Sequence, residues 1–221
     1  MLSLPAYTRA LSDRFASDGY LPLPGLIPLR TLTDLEAEVR RLEKLAARRD
    51  FSMACMNDSP RHMTTLGGHV IARESRLIPR LYRDAQLLGL LAEITDLDVV
   101  PVRDRLERHV INVLHQQGDT HGAHTDDYPL ALVLFTETPN NPADGGLLEY
   151  AAHSTGLHIL DTRAARRAHH RPGDGYLLRS DTTAHRVTPL SRPDTRRTVV
   201  NFAYTTPDRQ QALTPSAFQL Y

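Results

Sequence analysis

Several residues and patterns that define large classes of proteins are scarce in this sequence. Cys55 is the only cysteine among 221 residues, which excludes an intrachain disulfide framework and is typical of a reducing, cytoplasmic environment. Lys and Arg together number 26, as do Asp and Glu, so no net charge attracts nucleic acid or an anionic membrane. The apolar stretch 87–97 is too short to span a bilayer and contains Glu93 and Asp96, and the first residues lack the pattern of a signal peptide. We therefore expect a soluble cytoplasmic protein that binds neither nucleic acid nor membrane.

The length and the absence of a linker or an internal repeat predict a single domain over residues 1–221. Apolar residues recur at helical spacing in three segments of the first part of the chain: a segment ending near Ser17, residues 35–45 and residues 77–93. Residues 1–97 are therefore predicted to form a mostly helical buttress for the rest of the protein.

From residue 98 to residue 206 the pattern changes to short apolar runs separated by turn residues, which is typical of β-strands. Eight short strands in this half predict a double-sheet β fold with flanking α-helices. The jelly roll is the member of this class that encloses a small-molecule site. The predicted strands are 99–103, 109–115, 130–135, 146–150, 156–160, 175–178, 185–188 and 198–205.

A His-X-Asp motif and a distant histidine form the most informative functional pattern. His124 and Asp126 lie in the segment His-Gly-Ala-His-Thr-Asp-Asp, and residues two apart on a strand project to the same side. His185 lies much later, at the start of a predicted strand, so the fold would have to bring it to the pair. Two imidazole nitrogens and one carboxylate oxygen, with other coordination positions open, suit ferrous iron that also binds a co-substrate and dioxygen. These three residues are the predicted metal ligands and the centre of the catalytic site.

Three segments taken together resemble the Fe(II)/2-oxoglutarate-dependent dioxygenase superfamily over about residues 99–206. They are His124-Thr125-Asp126, the turn Arg-Pro-Gly-Asp-Gly-Tyr-Leu at 171–177, and His-Arg-Val-Thr-Pro at 185–189 followed by a basic turn. The resemblance implies a distorted double-stranded β-helix, or jelly roll, with iron held by His124, Asp126 and His185. It also implies 2-oxoglutarate as a co-substrate that chelates the iron, and dioxygen as the oxidant.

In the superfamily a basic residue shortly after the distal histidine holds the far carboxylate of 2-oxoglutarate. Arg196 and Arg197 both match this position, and a planar guanidinium forms two parallel charge-assisted hydrogen bonds with a carboxylate. Strand alternation puts Arg197 on the same face as Asn201 and Thr205, whose polar side chains are typical of a cavity lining. We favour Arg197 and keep Arg196 as the alternative. Both residues are also compatible with a solvated turn.

A narrower resemblance is carried by Arg61-His62-Met63, Glu107, the segment 121–128 and Asn201. These segments are similar to a family of carrier-independent radical halogenases and hydroxylases that act on free lysine and related amino acids. Halogenases of that family carry glycine where this chain has Asp126, which vacates a coordination position for chloride. The resemblance therefore implies a hydroxylase. Its substrate-contacting positions fall on Arg61, Glu107, His121, Asp127 and Asn201.

The residue types at these positions suit a free basic amino acid, which carries one carboxylate and two ammonium groups. Burial of each ion costs several kcal/mol unless an opposite charge or a hydrogen-bond partner meets it. Arg61 is predicted to pair with the carboxylate, and Glu107 and Asp127 with the ammonium groups. His121 and Asn201 would complete the hydrogen bonds.

Each of these residues also has a simpler interpretation. Arg61 falls in a predicted loop and Glu107 in a charged run, so both are compatible with a solvated surface. Asp127 and His121 could each belong to a turn. The tryptophan of the family is absent from this chain, and Tyr221 is a candidate for the missing aromatic wall.

Three other functions remain open at this stage. The chain could be an oxygenase that acts on a peptidyl or carrier-bound residue, a zinc hydrolase with three protein ligands, or a cupin-like binding protein without catalysis. A monomer or a homodimer is expected. The sequence does not distinguish lysine from ornithine or arginine as the substrate.

Overall fold

The structure, a computed structural model, describes residues 1–210 and 214–221. Within those ranges it contains six α-helices and twelve β-strands. The helices are α1 (Arg9–Asp18), α2 (Leu29–Glu43), α3 (Gly68–Glu74), α4 (Leu77–Tyr82), α5 (Ala85–Thr95) and α6 (Pro215–Leu220). The strands are β1 (Tyr20–Leu23), β2 (Ala47–Met53), β3 (Ser59–Leu66), β4 (Val100–Pro101), β5 (His109–Leu114), β6 (Thr120–His124), β7 (Leu130–Glu137), β8 (Leu148–Ala151), β9 (Arg166–Ala168), β10 (Gly175–Leu178), β11 (Ala184–Val187) and β12 (Arg197–Thr205).

The strands form a curled antiparallel sheet. Neighbouring strands follow the order β1-β10-β7-β12-β5-β3-β6-β11-β8-β9, while β2 pairs with β3 as a hairpin and β4 pairs with the end of β12. Because a sheet of this size twists strongly, it folds over on itself, and side chains of β8 pack against those of β7, β10 and β12. This is the jelly-roll core with flanking helices that the sequence predicts.

Strand β7 explains why the centre of the sheet is apolar on both faces. Leu132 and Leu134 belong to the main hydrophobic core, which the sheet shares with helices α1–α5. Val133 and Phe135 belong instead to a cluster inside the roll, where they meet Tyr150 of β8. Alternation along the strand therefore gives one face to the helices and the other to the interior of the roll, where the polar site is found.

Between residues 98 and 206 the predicted and observed strands differ in three places. Segment 156–160 forms a 3₁₀ turn, Leu157–Asp161, in which the amide of Ile159 donates to the carbonyl of Gly156 at 3.1 Å. A short apolar run next to glycine is compatible with a β-strand and with a helical turn. Here the local hydrogen bond stabilises the turn. Strands β6 and β9 were not predicted, because neither has an apolar alternation.

The first 97 residues contain more sheet than the predicted helical buttress allows. The hairpin of β2 and β3 was not predicted, yet β3 lies between β5 and β6 in the sheet. The predicted helix over 77–93 is two helices, since the carboxylate of Asp84 accepts from the amides of Gln86 and Leu87 and begins α5. The core therefore includes strands from before residue 98, and a single domain over the whole chain stays a prediction. No helix among the described residues is long and apolar enough to cross a membrane.

Candidate active site

The first group of polar side chains lies where β6 and β11 run side by side. The strand register pairs His124 with His185, and Asp126 follows just beyond the end of β6. Oδ1 of Asp126 lies 3.5 Å from Nε2 of His124 and 3.8 Å from Nε2 of His185. Bonds of about 2 Å to one ion require donor atoms at roughly this spacing. The fold thus brings together the three predicted ligands.

The surroundings of both imidazoles fit a bound metal ion. Nδ1 of His124 lies 2.7 Å from the carbonyl oxygen of Gly122, and Nδ1 of His185 lies 2.9 Å from that of Thr183. A carbonyl only accepts, so each Nδ1 carries the hydrogen and each Nε2 presents its lone pair to the cluster. Burial lowers the pKa of His124 well below its usual range and raises the pKa of Asp126. A cation would favour both the neutral imidazole and the ionised carboxylate that metal binding needs.

A first cavity has both the ligand cluster and Arg197 in its wall. Arg197 is 3% exposed, and its guanidinium carbon lies 5.1 Å from the centre of the Phe135 ring. It forms a hydrogen bond with Tyr176, but its Nε has no hydrogen-bond partner in the part of the chain that the structure describes, and burial lowers its pKa. No carboxylate among the described residues forms an ion pair with it. Because a buried cation needs an anion, Arg197 fits the far carboxylate of 2-oxoglutarate.

Arg196, the alternative candidate, lies directly before β12 and already has carboxylate partners. Its guanidinium lies 2.8 Å from Oε2 of Glu43 and 3.3 Å from Oε2 of Glu137. Successive side chains of a strand point to opposite faces, so only one of two adjacent arginines can enter the cavity. Arg196 is an ion-paired residue on the helical side of the sheet.

A second cavity shares part of its wall with the first and has Arg61 in its lining. Arg61 is on β3, paired with His121 of β6, and not in the expected loop. It is 1% exposed, and it donates to Oγ of Ser59 at 2.9 Å and to the carbonyl of Pro60 at 3.0 Å, while its Nε has no hydrogen-bond partner within residues 1–210 and 214–221. Burial lowers its pKa to about 10, although the nearby Asp126 opposes this. This second buried cation fits the carboxylate of a ligand.

Glu107 and Asp127 form an acidic wall of the second cavity. The hydroxyl of Ser216 on α6 contacts both carboxylates, at 3.1 Å from Oε1 of Glu107. Thr214 donates to Oε2 of Glu107 at 2.9 Å. Burial, with Asp127 and Asp104 nearby, raises the pKa of Glu107 to about 8. Glu107 is therefore a residue of the cavity, and the simpler interpretation of a solvated charge is wrong.

His121 and Asn201 lie in the wall that the two cavities share. The ring of His121 stacks on that of His124, with 4.1 Å between the centroids and 20° between the planes. Burial lowers the pKa of His121 well below its usual range, and Arg61 lowers it further. Oδ1 of Asn201 is buried and has no hydrogen-bond partner among the residues described. Both predicted substrate residues thus face space that a ligand can enter.

The sequence did not predict several residues of the site. Asn112 contributes to both cavities, and a polar residue within the apolar strand 110–114 was an available signal for it. Tyr176 belongs to the predicted turn motif 171–177, but its contact with Arg197 was not predicted. Ser216 has no signal in the sequence, because its position depends on where α6 folds. Tyr221, the candidate aromatic wall, does line the second cavity.

The fold, together with this His-Asp-His cluster, defines a class. It is the fold of non-haem iron oxygenases that use 2-oxoglutarate. The structure of the epimerase SnoN from nogalamycin biosynthesis, a non-heme alpha ketoglutarate dependent enzyme, superposes with a TM-score of 0.67 at 18% identity, covering 90% of this chain and 80% of that one. HygX from Streptomyces hygroscopicus, solved with nickel and 2-oxoglutarate bound, superposes with a TM-score of 0.67 at 13% identity. The match covers 96% of this chain and 94% of that one. A Pseudomonas putida prolyl-4-hydroxylase superposes with a TM-score of 0.61 at 15% identity, and the match covers 89% of this chain and 97% of that one.

A family model narrows the class further. The model of the family described as Halogenase D matches residues 4–217, and the chain therefore belongs to this family. No curated protein matches the sequence significantly. The resemblance to the 2-oxoglutarate oxygenase superfamily is thus confirmed, while the branch that acts on free lysine stays a prediction.

Proposed function

We propose that this protein is an Fe(II)- and 2-oxoglutarate-dependent oxygenase that hydroxylates an unactivated C–H bond of a free amino acid, with a basic, lysine-like amino acid as substrate. The observation that carries the proposal is the meeting of two cavities at the ligand cluster. One cavity has in its wall the buried Arg197, which forms no ion pair among the described residues, and the other is lined by Arg61, Glu107 and Asp127. We place the reaction in the cytoplasm, in keeping with the single cysteine, and assign it to a one-domain monomer or homodimer.

In this proposal His124, Asp126 and His185 hold the iron on one side and leave the other side to the two cavities. Arg197 and Tyr176 orient 2-oxoglutarate through its far carboxylate. Iron and 2-oxoglutarate, when bound, supply the activation of dioxygen, which side chains alone cannot perform. Related structures support the choice of these groups, since SnoN was solved with Fe³⁺ and alpha ketoglutarate and HygX with 2-oxoglutarate.

The second cavity is proposed to bind and orient the amino acid. Arg61 binds its carboxylate, while Glu107 and Asp127 bind ammonium; His121 and Asn201 supply the remaining hydrogen bonds. Correct orientation of the reacting carbon accounts for several kcal/mol of catalysis in sites of this kind.

Apolar side chains close the remainder of the second cavity. These are Met53, Met56 and Leu220, with the ring of Tyr221 beside them. They are proposed to exclude water from the target carbon and to contact the aliphatic part of the substrate.

Chlorination is the second candidate function, because the family carries the description Halogenase D. The position of Asp126 argues against it. Its carboxylate occupies the place in the cluster that a halide would need, 3.5 Å from Nε2 of His124. We therefore propose hydroxylation as the activity of the native chain.

An aerobic screen tests the proposal. Purified protein is supplied with Fe(II), 2-oxoglutarate and each free amino acid in chloride buffer, and products are analysed by mass spectrometry. A gain of one oxygen with a basic amino acid is expected, with succinate formed in equal amount and with no product from the amide of the same amino acid. A gain of chlorine would favour the second candidate. Turnover of the amide but not of the acid would favour a peptidyl or carrier-bound substrate, and activity without oxygen would favour hydrolysis.

A further inference from the structure

The C-terminal helix α6 forms one side of the second cavity. Ser216 and Leu220 on the helix, and Tyr221 directly after it, line the cavity. Buried contacts hold the helix in place: Leu220 packs with Met53 in a hydrophobic cluster, and Nε of Arg49 donates to the carbonyl of Leu220 at 2.7 Å. The side chains of α6 are therefore held in defined positions relative to the sheet.

The hydroxyl of Ser216 contacts three oxygen atoms but has only one hydrogen to donate. Its partners are Oε1 of Glu107 at 3.1 Å, Oδ2 of Asp127 and Oγ1 of Thr214 at 2.9 Å. Thr214 in turn contacts Oε2 of Glu107 at 2.9 Å. The two hydroxyl hydrogens cannot serve all four contacts, so a further donor is needed: in the ligand-free protein the proton bound by Glu107 can serve, and once both carboxyls are ionised a ligand must supply it.

The charges around the acid pair point to a cationic donor. In the part of the chain that the structure describes, neither Glu107 nor Asp127 forms an ion pair. The other groups that act on Glu107 are the acids Asp104 and Asp126, together with the hydroxyl of Thr214. Two carboxylates on one hydroxyl concentrate negative charge. An ammonium group has three N–H donors and can bond to both carboxylates at once.

We infer that Ser216 is a positioning residue that joins Glu107 and Asp127 into one subsite for a single ammonium group of the substrate. The inference rests on the proposed function, because it concerns the amino acid that the second cavity binds. The two acids then act together and do not serve two separate ammonium groups. A second ammonium group is left to acceptors such as the unpartnered Oδ1 of Asn201. Helix α6 thereby takes part in substrate selection.

Anaerobic titration of the Fe(II)- and 2-oxoglutarate-loaded enzyme tests this inference without turnover. The dissociation constant is measured for lysine, for norleucine, which lacks the side-chain ammonium, and for 6-aminohexanoate, which lacks the α-ammonium. Removal of one of the two ammonium groups should weaken binding to the wild type at least about tenfold more than removal of the other. In Ser216→Ala this difference should shrink by about tenfold, and Ser216→Thr, which keeps the hydroxyl, should retain it. Combination of Ser216→Ala with Glu107→Gln should cause no further loss of selectivity, because both changes remove the same subsite.

Phe218→Ala is the matched control, since Phe218 lies on the same helix with 69% of its surface exposed. It should leave all three dissociation constants unchanged, and the affinity for 2-oxoglutarate, which depends on the other cavity, checks the folding of each variant. Unchanged selectivity in Ser216→Ala, or an equal loss for all three ligands, overturns the inference even if the enzyme hydroxylates lysine. Selectivity that depends on Ser216 without any hydroxylation supports the inference and contradicts the proposed function. No binding of any of the three ligands overturns both.

Discussion

Replacement of Arg197 by methionine should abolish tight binding of 2-oxoglutarate without unfolding the protein. Arg197 is buried, has an unpartnered Nε and forms no ion pair among the described residues, so its free energy of burial is recovered only when an anion binds. Methionine has a similar length and fills irregular apolar space. The substitution therefore separates the role of the charge from the role of the volume.

The expected loss of affinity follows from the burial of the pair that Arg197 would form with the far carboxylate of 2-oxoglutarate. Removal of one partner of a buried, hydrogen-bonded charge pair costs about 2–5 kcal/mol, which raises the dissociation constant of 2-oxoglutarate about 30-fold to several thousandfold. The stability of the ligand-free protein should change little or increase, because an unpaired buried charge is replaced by an apolar group. At a hundredfold excess over its dissociation constant, 2-oxoglutarate should stabilise the wild type by about 2.7 kcal/mol and raise its Tm by about 5–10 °C. In Arg197→Met, at the same concentration of 2-oxoglutarate, this stabilisation should fall to about 0.9 kcal/mol or less.

The assay is a thermal shift series with metal and increasing 2-oxoglutarate, and the adjacent Arg196 provides a matched control. Arg196→Met removes a guanidinium that is 31% exposed and paired with Glu43 and Glu137, so it should cost at most about 1 kcal/mol of stability and keep the full ligand-induced shift. If Arg196→Met lost the shift while Arg197→Met kept it, the assignment of the two faces of β12 would be refuted.

Three further predictions concern the metal cluster and the second cavity. Asp126→Gly should abolish hydroxylation and, in chloride buffer, should yield a chlorinated product detectable by mass spectrometry, because a coordination position becomes free. The pKa of Glu107, raised to about 8 from 4.5, means that the folded state binds a proton which the unfolded state releases, so stability falls as the pH rises between these values. Without substrate, the free energy of unfolding of the wild type should therefore fall by about 2 kcal/mol between pH 6 and pH 8 because of this carboxyl. Denaturant titrations should show no such contribution in Glu107→Gln. Gly122→Ala should destabilise the protein by about 1–3 kcal/mol in the same assay, since the added Cβ would lie 2.6 Å from the carbonyl oxygen of Pro60.

Each of these predictions has a result that contradicts it. Hydroxylation by Asp126→Gly at the wild-type rate would remove the carboxylate from the ligand set. Parallel pH profiles for the wild type and Glu107→Gln would mean that Glu107 is ionised in the folded protein at neutral pH. A Gly122→Ala variant of unchanged stability would contradict the close approach of β6 to β3; Gly89→Ala, where an added Cβ meets nothing within 4 Å, is the control.

The strands around the site illustrate why part of the fold was predictable. The apolar runs of β5, β7 and β12 have strand periodicity, and these segments occur as predicted. Strand β6 has none, since its sequence is Thr-His-Gly-Ala-His, and it is a strand because Gly122 allows it to pack closely on β3. The hairpin of β2 and β3 was missed for a similar reason, since β2 is rich in charged residues, of which Arg48 pairs with Asp50 and with Asp119, just before β6.

The sequence by itself determined the chemical identity of the centre, because the spacing of His124 and Asp126, a distal His185 and an arginine shortly after it are local patterns. It also determined that only one of two adjacent arginines enters the cavity, since alternation is a property of any strand. Tertiary structure alone decided which distant charges share a cavity. Arg61 was placed in a loop, and a solvated charge was the alternative interpretation of Glu107, whereas Arg61 is buried on β3 and Glu107 is half-buried beside Ser216 of α6. Burial depends on contacts between segments far apart in the chain, and no local pattern encodes those contacts.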